Sequence, residues 1–281
     1  DFFEEFNTYT VEQFPFREIF IKIKGLATNK LFLKKEENGV FIKDGTFFEI
    51  SPSIDDKSIE HFLKIVTKMK NGFSNGNIYY SIIPDKNYYL EEKIPKINYQ
   101  ELVKTINKNL QDLIYIDIFE ELSLESYYKT DIHWRQEKID KVVKTLALHM
   151  NLEPINIKYN TLTYSDFYGA LYGKIPNNEK PDTIKYLIDE NIINTKVFDY
   201  EKNQYYKVYE EANLNNIDSY DIFLGGAKAL LVMENKNSKT DKELVIFRDS
   251  FGSSLAPLLL SYYKKITLID LRYINSDYLI N

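Results

Sequence analysis

Hydrophobic positions along the chain change between the spacing typical of strands and that typical of helices. Two short apolar runs flank Asp44-Gly45, a residue pair that favours a tight β-hairpin turn. Apolar residues then recur at helical spacing: Ile59, Phe62, Leu63, Val66 and Met69. A strand pattern at 78–83, a helix pattern at 99–110 and a strand pattern at 113–118 follow in turn. We therefore expect βαβ units and a parallel sheet.

This alternation stops in residues 151–223 and resumes afterwards. The segment carries short aromatic-rich runs of strand character between polar turns, and we interpret it as an antiparallel β-rich insertion packed over the sheet. Strand patterns return at 229–233, 244–247 and 266–270. The chain length suits a single α/β domain over residues 1–281, with a helix and a hairpin within residues 1–50.

The apolar strand at 244–247 leads into a segment that carries candidate chemistry. Ser250 follows this strand, and a Gly and a helical pattern come next. A serine between a strand and a helix presents its hydroxyl at the sheet edge, beside the unpaired N–H groups of the helix N-terminus. We predict that Ser250 is a nucleophile and that its backbone N–H forms part of an oxyanion hole. Ser253 and Ser254 are the alternative serines in this segment.

Far upstream, Asp131-Ile132-His133 supplies what a nucleophilic serine needs, namely a base and a group that orients the base. The other two histidines of the chain, His61 and His149, fall inside predicted helices. We expect Thr130 or Asp131 to cap the helix that follows the motif. In a Ser-His-Asp triad, Ser250 Oγ should lie about 2.6–3.2 Å from one ring nitrogen of His133, with Asp131 at the other.

Two charged residues near Ser250 have alternative interpretations. Asp249 is either a second acid or a turn-stabilising residue, and we favour the turn because strand alternation directs its side chain away from Ser250. Arg272 either binds a substrate group at the mouth of the site or forms a salt bridge with Asp270 or Asp249, which we favour.

Two further hypotheses concern backbone donors and metal ligands. Gly225 and Gly226 either bring a second N–H group to the oxyanion hole or form a structural turn. Asp131 and His133 are also residue types that bind metal, but the chain has no Cys and the other histidines are misplaced for a third ligand. We therefore expect neither a metal nor a cofactor.

The same residues carry a family resemblance. The segment Tyr127–Trp134 resembles the signature of the bacterial DHHW proteins, a branch of the SGNH-hydrolase-like group that includes the alginate O-acetylation proteins. The segments 247–252 and 269–273 resemble the serine block of that group and its trailing strand. Three further segments match in the right order: Glu12–Arg17, Ile83–Lys86 and Ser165–Gly169. Ile132 replaces the first His of the name-giving motif, whereas the Asp and the second His, which are the catalytic pair in related acetyltransferases, are present as Asp131 and His133.

The resemblance implies a three-layer α/β/α sandwich of the SGNH-hydrolase type. It also implies an O-acyl, in particular O-acetyl, transferase or esterase that acts on a cell-surface or secreted polysaccharide. A membrane-bound acyltransferase partner and a location outside the cytoplasmic membrane follow by the same analogy. The residues themselves predict only a serine-dependent acyl mechanism. The alternative hypothesis is a catalytically silent protein that uses this fold to hold glycans or cell-wall polymer.

Composition narrows the class of protein further. The 281 residues are 44% hydrophobic and 28% charged, as in globular domains. A net charge of −6 without a long basic run argues against nucleic-acid binding. The absence of Cys excludes disulfides and a thiol nucleophile. No run is long enough for a membrane helix, and we interpret the aromatic-rich residues 1–20 as a docked helix, a tether from an N-terminal anchor that precedes Asp1, or both.

Overall fold

The computed structural model describes residues 36–50, 54–72, 76–91, 96–175 and 177–274. The helix predicted in the N-terminal segment lies outside the described residues. The predicted hairpin lies within them and is confirmed. It comprises β1 (Glu36–Glu37), β2 (Val40–Lys43) and β3 (Thr46–Glu49), paired antiparallel in that order. Its turn residues, Asp44 and Gly45, have φ angles of 49° and 73°, the left-handed conformation that a two-residue hairpin turn requires.

A helical unit follows the hairpin, as the hydrophobic spacing predicts. Helix α1 spans Asp56–Gly72 and helix α2 spans Tyr99–Asn109. The short strands β4 (Tyr79–Tyr80) and β5 (Ile114–Tyr115) pair in parallel, with α2 in the connection between them. This βαβ unit has its own apolar cluster, formed by Tyr99, Leu102, Ile106, Leu110, Leu113 and Phe119.

The largest sheet has five strands: β8 (Lys196–Asp199), β9 (Gln204–Lys207), β10 (Leu230–Glu234), β11 (Glu243–Phe247) and β12 (Lys265–Ile269). Their order across the sheet is β11-β12-β10-β8-β9. Only β11 and β12 pair in parallel within it, and the other neighbours are antiparallel. The expected parallel pairing is therefore confirmed for β4 with β5 and for β11 with β12, and is wrong for the other neighbours in this sheet. A short turn such as that between β8 and β9 can only join antiparallel partners.

The segment 151–223 contains two antiparallel ladders. Strands β6 (Asn160–Phe167) and β7 (Asp182–Ile188) form the first, and β8 and β9 form the second. Helix α4 (Glu190–Asn194) connects them. Because β8 pairs with β10, the second ladder supplies two strands of the five-stranded sheet and does not pack over its face.

The main hydrophobic core joins this sheet to the helical elements around it. Helix α3 (Asp140–His149) contributes Val142, Val143 and Ala147, and the largest fully buried side chain is that of Trp134. The fold is thus a mixed α/β fold with small sheets, while the three-layer sandwich stays a prediction. Among the helices of the described ranges, none is both long and apolar enough to cross a membrane.

Candidate active site

Ser250 lies where β11 gives way to a helix. Helix α5 spans Phe251–Leu255, and Ser250 precedes it with φ −64° and ψ −27°. The side chain of Ser250 forms no capping bond to α5. Asp249 builds the turn instead, since its Oδ1 accepts the N–H of Phe251 at 3.0 Å. The turn-stabilising role predicted for Asp249 is therefore confirmed. The hydroxyl of Ser250 takes no part in capping the helix and is available for another hydrogen bond.

The hydroxyl of Ser250 belongs to a hydrogen-bonded chain of three side chains. Its Oγ lies 2.7 Å from His133 Nε2, and His133 Nδ1 lies 2.6 Å from Asp131 Oδ1. Asp131 is fully buried and His133 is 6% exposed. A carboxylate can only accept, so Nδ1–H donates to Asp131 and Nε2 is left as the acceptor of the serine proton. The structure thus brings together the three residues predicted from the sequence, at the predicted distances.

Asp131 and His133 lie in a tight loop rather than at the start of a helix. Tyr127 and Trp134 form an antiparallel bridge at the ends of the loop, and the N–H of Tyr128 donates to the carbonyl of His133 at 3.1 Å. Helix α3 begins only at Asp140, so the predicted cap by Thr130 or Asp131 is wrong. The physical reason is that both side chains have other partners.

Thr130 and Asp131 bind neighbouring backbone and side-chain groups. Oγ1 of Thr130 donates to Asp182 at 2.7 Å and accepts the N–H of Gly169 at 3.0 Å. Oδ2 of Asp131 accepts the N–H of Ala170 at 2.7 Å. Oδ1 of Asp131 also accepts the backbone N–H of His133 at 2.9 Å, which folds the carboxylate back onto the imidazole.

The surroundings of Asp131 keep its carboxyl group ionised. Burial raises the pKa of Asp131, but the interaction with His133 and the hydrogen bonds from His133 and Ala170 outweigh burial and lower the pKa to about 2. A group that must orient an imidazole and stabilise its cationic form has to carry this negative charge.

Gly169 allows the segment Ser165–Gly169 to approach the Asp-His motif closely. A Cβ atom at this position would lie 2.3 Å from the Cβ of Asp131 and 2.6 Å from the carbonyl oxygen of Thr130. Both contacts are far shorter than real Cβ contacts, so only glycine allows the two segments to approach this closely. The family resemblance includes this segment, but its residues alone gave no sign that a glycine is needed for close approach to Asp131.

A tyrosine that the sequence analysis did not identify completes the surroundings of His133. The ring of Tyr220 stacks on the imidazole with centroids 3.8 Å apart and planes 6° apart. Its hydroxyl donates to Ser254 Oγ at 2.8 Å, and Trp134 Nε1 donates to the same oxygen at 2.8 Å. The only sequence signal for Tyr220 is the aromatic richness of residues 151–223.

The neighbouring serines have structural partners. Ser254 Oγ accepts the two bonds from Trp134 and Tyr220 and donates to the carbonyl of Phe251 at 3.3 Å. Ser253 Oγ accepts a bond from Arg248 Nη1 at 2.8 Å. Among the serines in the described part of the chain, only Ser250 hydrogen bonds to a histidine ring.

The remaining predicted residues form structural contacts. Leu224, Gly225 and Gly226 all have positive φ angles of 59° to 80°, and the N–H of Gly226 donates to the carbonyl of Phe223 at 3.2 Å. The structure shows the turn interpretation and gives neither glycine a hydrogen bond to Ser250 or His133 in the residues it describes. Arg272 forms a bidentate pair with Asp270, at 2.9 and 2.6 Å, which is the salt bridge we favoured.

Comparison with known proteins finds solved structures of similar fold. No family model matches the chain, and no curated protein matches it. Among solved structures, a DHHW family protein from Eubacterium siraeum superposes with a TM-score of 0.73 and 22% sequence identity, over 87% of each chain. Two structures of Bacillus cereus PatB1 superpose with a TM-score of 0.68 and 15% identity. The first, which carries a sulfonyl adduct, covers 83% of this chain and 86% of PatB1, and the second covers 84% and 88%. The resemblance to the DHHW proteins is therefore borne out in the fold, which this chain shares with a DHHW family protein and with PatB1.

Proposed function

We propose that this protein is a serine-dependent O-acyltransferase or esterase that uses Ser250 as nucleophile, His133 as base and Asp131 as the orienting acid. The observation that carries the proposal is the unbroken chain from Ser250 Oγ through His133 to Asp131, with distances of 2.7 and 2.6 Å. This geometry suits nucleophilic acyl chemistry, in which a weakly nucleophilic hydroxyl needs an adjacent base.

The acyl transfer follows from the hydrogen-bond directions. His133 Nε2 takes the proton of Ser250 as Oγ attacks the acyl carbonyl carbon, and the carboxylate of Asp131 stabilises the resulting imidazolium. The bond to the leaving alcohol then breaks, and His133 returns the proton to the leaving oxygen. A water molecule or a sugar hydroxyl attacks the acyl-serine in the same way and frees Ser250. The backbone N–H of Ser250 is the candidate donor to the transient oxyanion.

The substrate class and location rest on the resemblance to the DHHW proteins. We propose acetyl groups on a cell-surface or secreted polysaccharide as the transferred groups, with a membrane-bound acyltransferase as the donor partner. An N-terminal anchor belongs to the same proposal. The alternative, a silent glycan-binding protein, would be favoured if Ser250 and His133 lay too far apart to interact or if the serine hydroxyl were buried. The separation of 2.7 Å removes the first reason for preferring it, and Ser250 is only half-buried.

A sulfonyl fluoride tests the nucleophile directly, and the sulfonyl adduct on PatB1 makes this reagent the natural choice. We expect a single adduct on Ser250, identified by mass spectrometry of the labelled protein. Ser250→Ala should abolish labelling, and His133→Ala should slow it by about a thousandfold or more because members of one triad act as a unit. Hydrolysis of an aryl acetate should fall in parallel.

Ser253→Ala is the matched control, since it removes a neighbouring hydroxyl that is bound to Arg248 and not to His133. This variant should label like the wild type. An unlabelled wild type, under conditions that label an ordinary serine esterase, would refute the enzymatic proposal and favour the silent binding protein. An adduct on Ser253 would show that the nucleophile was assigned to the wrong serine.

A further inference from the structure

A buried lysine lies beneath the loop that carries Asp131 and His133. Lys86 is 3% exposed, and its Nζ donates to three main-chain carbonyls: Tyr128 at 3.0 Å, Lys129 at 3.1 Å and Asp131 at 2.8 Å. An ammonium group has three N–H donors, so each donor has one partner. All three acceptors belong to the loop of residues 127–134.

The segment around Lys86 is itself fastened to this loop. Lys86 begins a 3₁₀ turn, Lys86–Tyr89, whose cap is Asp85. One residue earlier, the carbonyl of Pro84 accepts the hydroxyl of Tyr127 at 2.5 Å. The segment Ile83–Lys86, which the sequence singled out without a role, therefore contacts the loop both at its start and at Asp131.

Burial of this ammonium works against stability. It lowers the pKa of Lys86 to about 8, although the carboxylates of Asp131, Asp182, Asp85 and Glu49 face it and partly offset the effect. The ring of Phe48 also lies beneath Nζ, 5.6 Å away. A buried charge is weak evidence for stabilisation, so its presence here calls for another explanation.

We propose that Lys86 is a positioning residue, whose ammonium fixes the carbonyls of Tyr128, Lys129 and Asp131 and thereby sets the Asp131 carboxylate against His133. Lys86 touches no reacting atom and acts through the loop. The expected effect on catalysis rests on the proposed function. The dependence of the Asp131–His133 hydrogen bond on Lys86 does not rest on it.

The first test uses Lys86→Met, which removes the charge and all three donors. We expect the rate of sulfonyl labelling at Ser250 and the kcat for an aryl acetate to fall by about 10- to 100-fold, with KM changing much less, as for the loss of a positioning group. Lys96→Met is the matched control, because Lys96 also donates to a main-chain carbonyl, that of Leu90 at 2.9 Å, but lies outside the loop contacts. It should keep the wild-type rate.

The pH profile separates positioning from a merely structural role. Deprotonation of Lys86 removes one of its three donors, so the wild-type labelling rate should fall as the pH rises through about 8. Lys86→Arg keeps its charge in this range and should lose that alkaline decrease. A wild-type rate that does not fall between pH 7 and 9, together with a fully active Lys86→Met protein, would overturn the proposal.

A nuclear magnetic resonance measurement remains decisive if the protein proves not to be an enzyme. The His133 Nδ1 proton, held between ring and carboxylate, should give a downfield resonance in the wild type and in Lys96→Met, and lose it in Lys86→Met. Absence of Ser250 labelling with this pattern intact refutes the proposed function alone. An unchanged resonance in folded Lys86→Met refutes the role of Lys86 alone. If that variant does not fold, the wild type is compared with Lys86→Arg above pH 8, where the wild type should lose the resonance and Lys86→Arg should keep it; equal behaviour of the two refutes the role.

Discussion

At the scale of single residues, the carboxylate of Asp131 determines which tautomer His133 adopts. Asp131 Oδ1 receives the ring Nδ1–H at 2.6 Å and the backbone N–H of the same residue at 2.9 Å, and Oδ2 receives the N–H of Ala170. The carboxylate of Asp131 is therefore the acceptor in each of these three hydrogen bonds. A side chain that can also donate does not fit this set of partners.

Asp131→Asn tests this dependence with little change of shape. The amide must either place its NH₂ group against the N–H of Ala170 or donate to His133 Nδ1 and so stabilise the wrong tautomer. We expect the labelling rate of Ser250 to fall by about 10³- to 10⁴-fold while the fold is retained, as measured by mass spectrometry and circular dichroism.

The matched control for this prediction is Asp249→Asn. Asp249 was the alternative acid in the sequence, and the amide oxygen of Asn can still accept the N–H of Phe251 that Asp249 Oδ1 accepts. Its labelling rate should stay within a few-fold of the wild type. A large loss in this variant with little loss in Asp131→Asn would reverse the roles that we assign to the two acids.

At the scale of elements, the site depends on two backbone segments that approach closely. The segment ending at Gly169 meets the loop at Thr130 and Asp131, with a bond from Gly169 N–H to Thr130 Oγ1. Gly169 does not have a positive φ angle, so its requirement is for space and not for an unusual conformation. The two reasons for a glycine can therefore be separated experimentally.

Gly169→Ala should push Asp131 away from His133. The new Cβ would lie 2.3 Å from the Cβ of Asp131, and backbone on both sides must shift to relieve the contact. We expect a loss of stability of about 1–3 kcal/mol, typical of overpacking, and a fall in labelling of at least about tenfold. Chemical denaturation and the labelling rate measure the two effects.

Gly39→Ala is the control for loss of stability alone. Gly39 has φ +69°, so alanine strains the backbone there, but its Cβ would meet no atom within 4 Å. This variant should be less stable and label at the wild-type rate. Equal losses of labelling in both variants would mean that stability, and not the position of Asp131, limits activity.

The sequence predicted elements better than it predicted their partners. The Asp44-Gly45 turn, α2 and the serine strand follow from local spacing and turn residues, which a short segment encodes by itself. The pairing of β8 with β10 and the start of α3 at Asp140 depend on contacts between distant segments. Local patterns do not contain that information.

The candidate site shows the same division. Ser250, His133 and Asp131 were predictable because their side chains are unusual in their local settings and occur as a set. Tyr220 and Lys86 were not, since a tyrosine in an aromatic-rich segment and a lysine after a proline look ordinary until the fold places them against the loop. Their importance is a property of tertiary packing.

At the scale of the whole molecule, the site is assembled from well-separated parts of the chain. The loop of residues 127–134 receives contacts from β3, from the turn at Lys86, from the start of β7 and from the segment after β6. The serine comes from the end of an edge strand of the five-stranded sheet. Unfolding of the domain therefore separates Asp131 from all its partners at once, which couples the ionisation of Asp131 to global stability.

This coupling predicts how stability depends on acid. The folded state lowers the pKa of Asp131 to about 2 from an ordinary value of 3.8, so the folded protein favours the ionised form. The resulting stabilisation, about 2 kcal/mol, is fully present above pH about 4 and is lost as the pH falls towards 2. Asp131→Asn cannot titrate, so the difference in unfolding free energy between wild type and variant should shrink between pH 5 and 2.5.

Chemical denaturation at several pH values measures this difference, with Asp112→Asn as the control. Asp112 also has a lowered pKa, because Lys70 donates a hydrogen bond to it, but the carboxylate is exposed to solvent. Water and salt screen such a pair, so the wild-type-to-variant difference should change little with pH. A difference for Asp131→Asn that is equally insensitive to pH would show that the carboxylate is not held in ionised form by His133 and Ala170, and the catalytic role derived from that arrangement would fall with it.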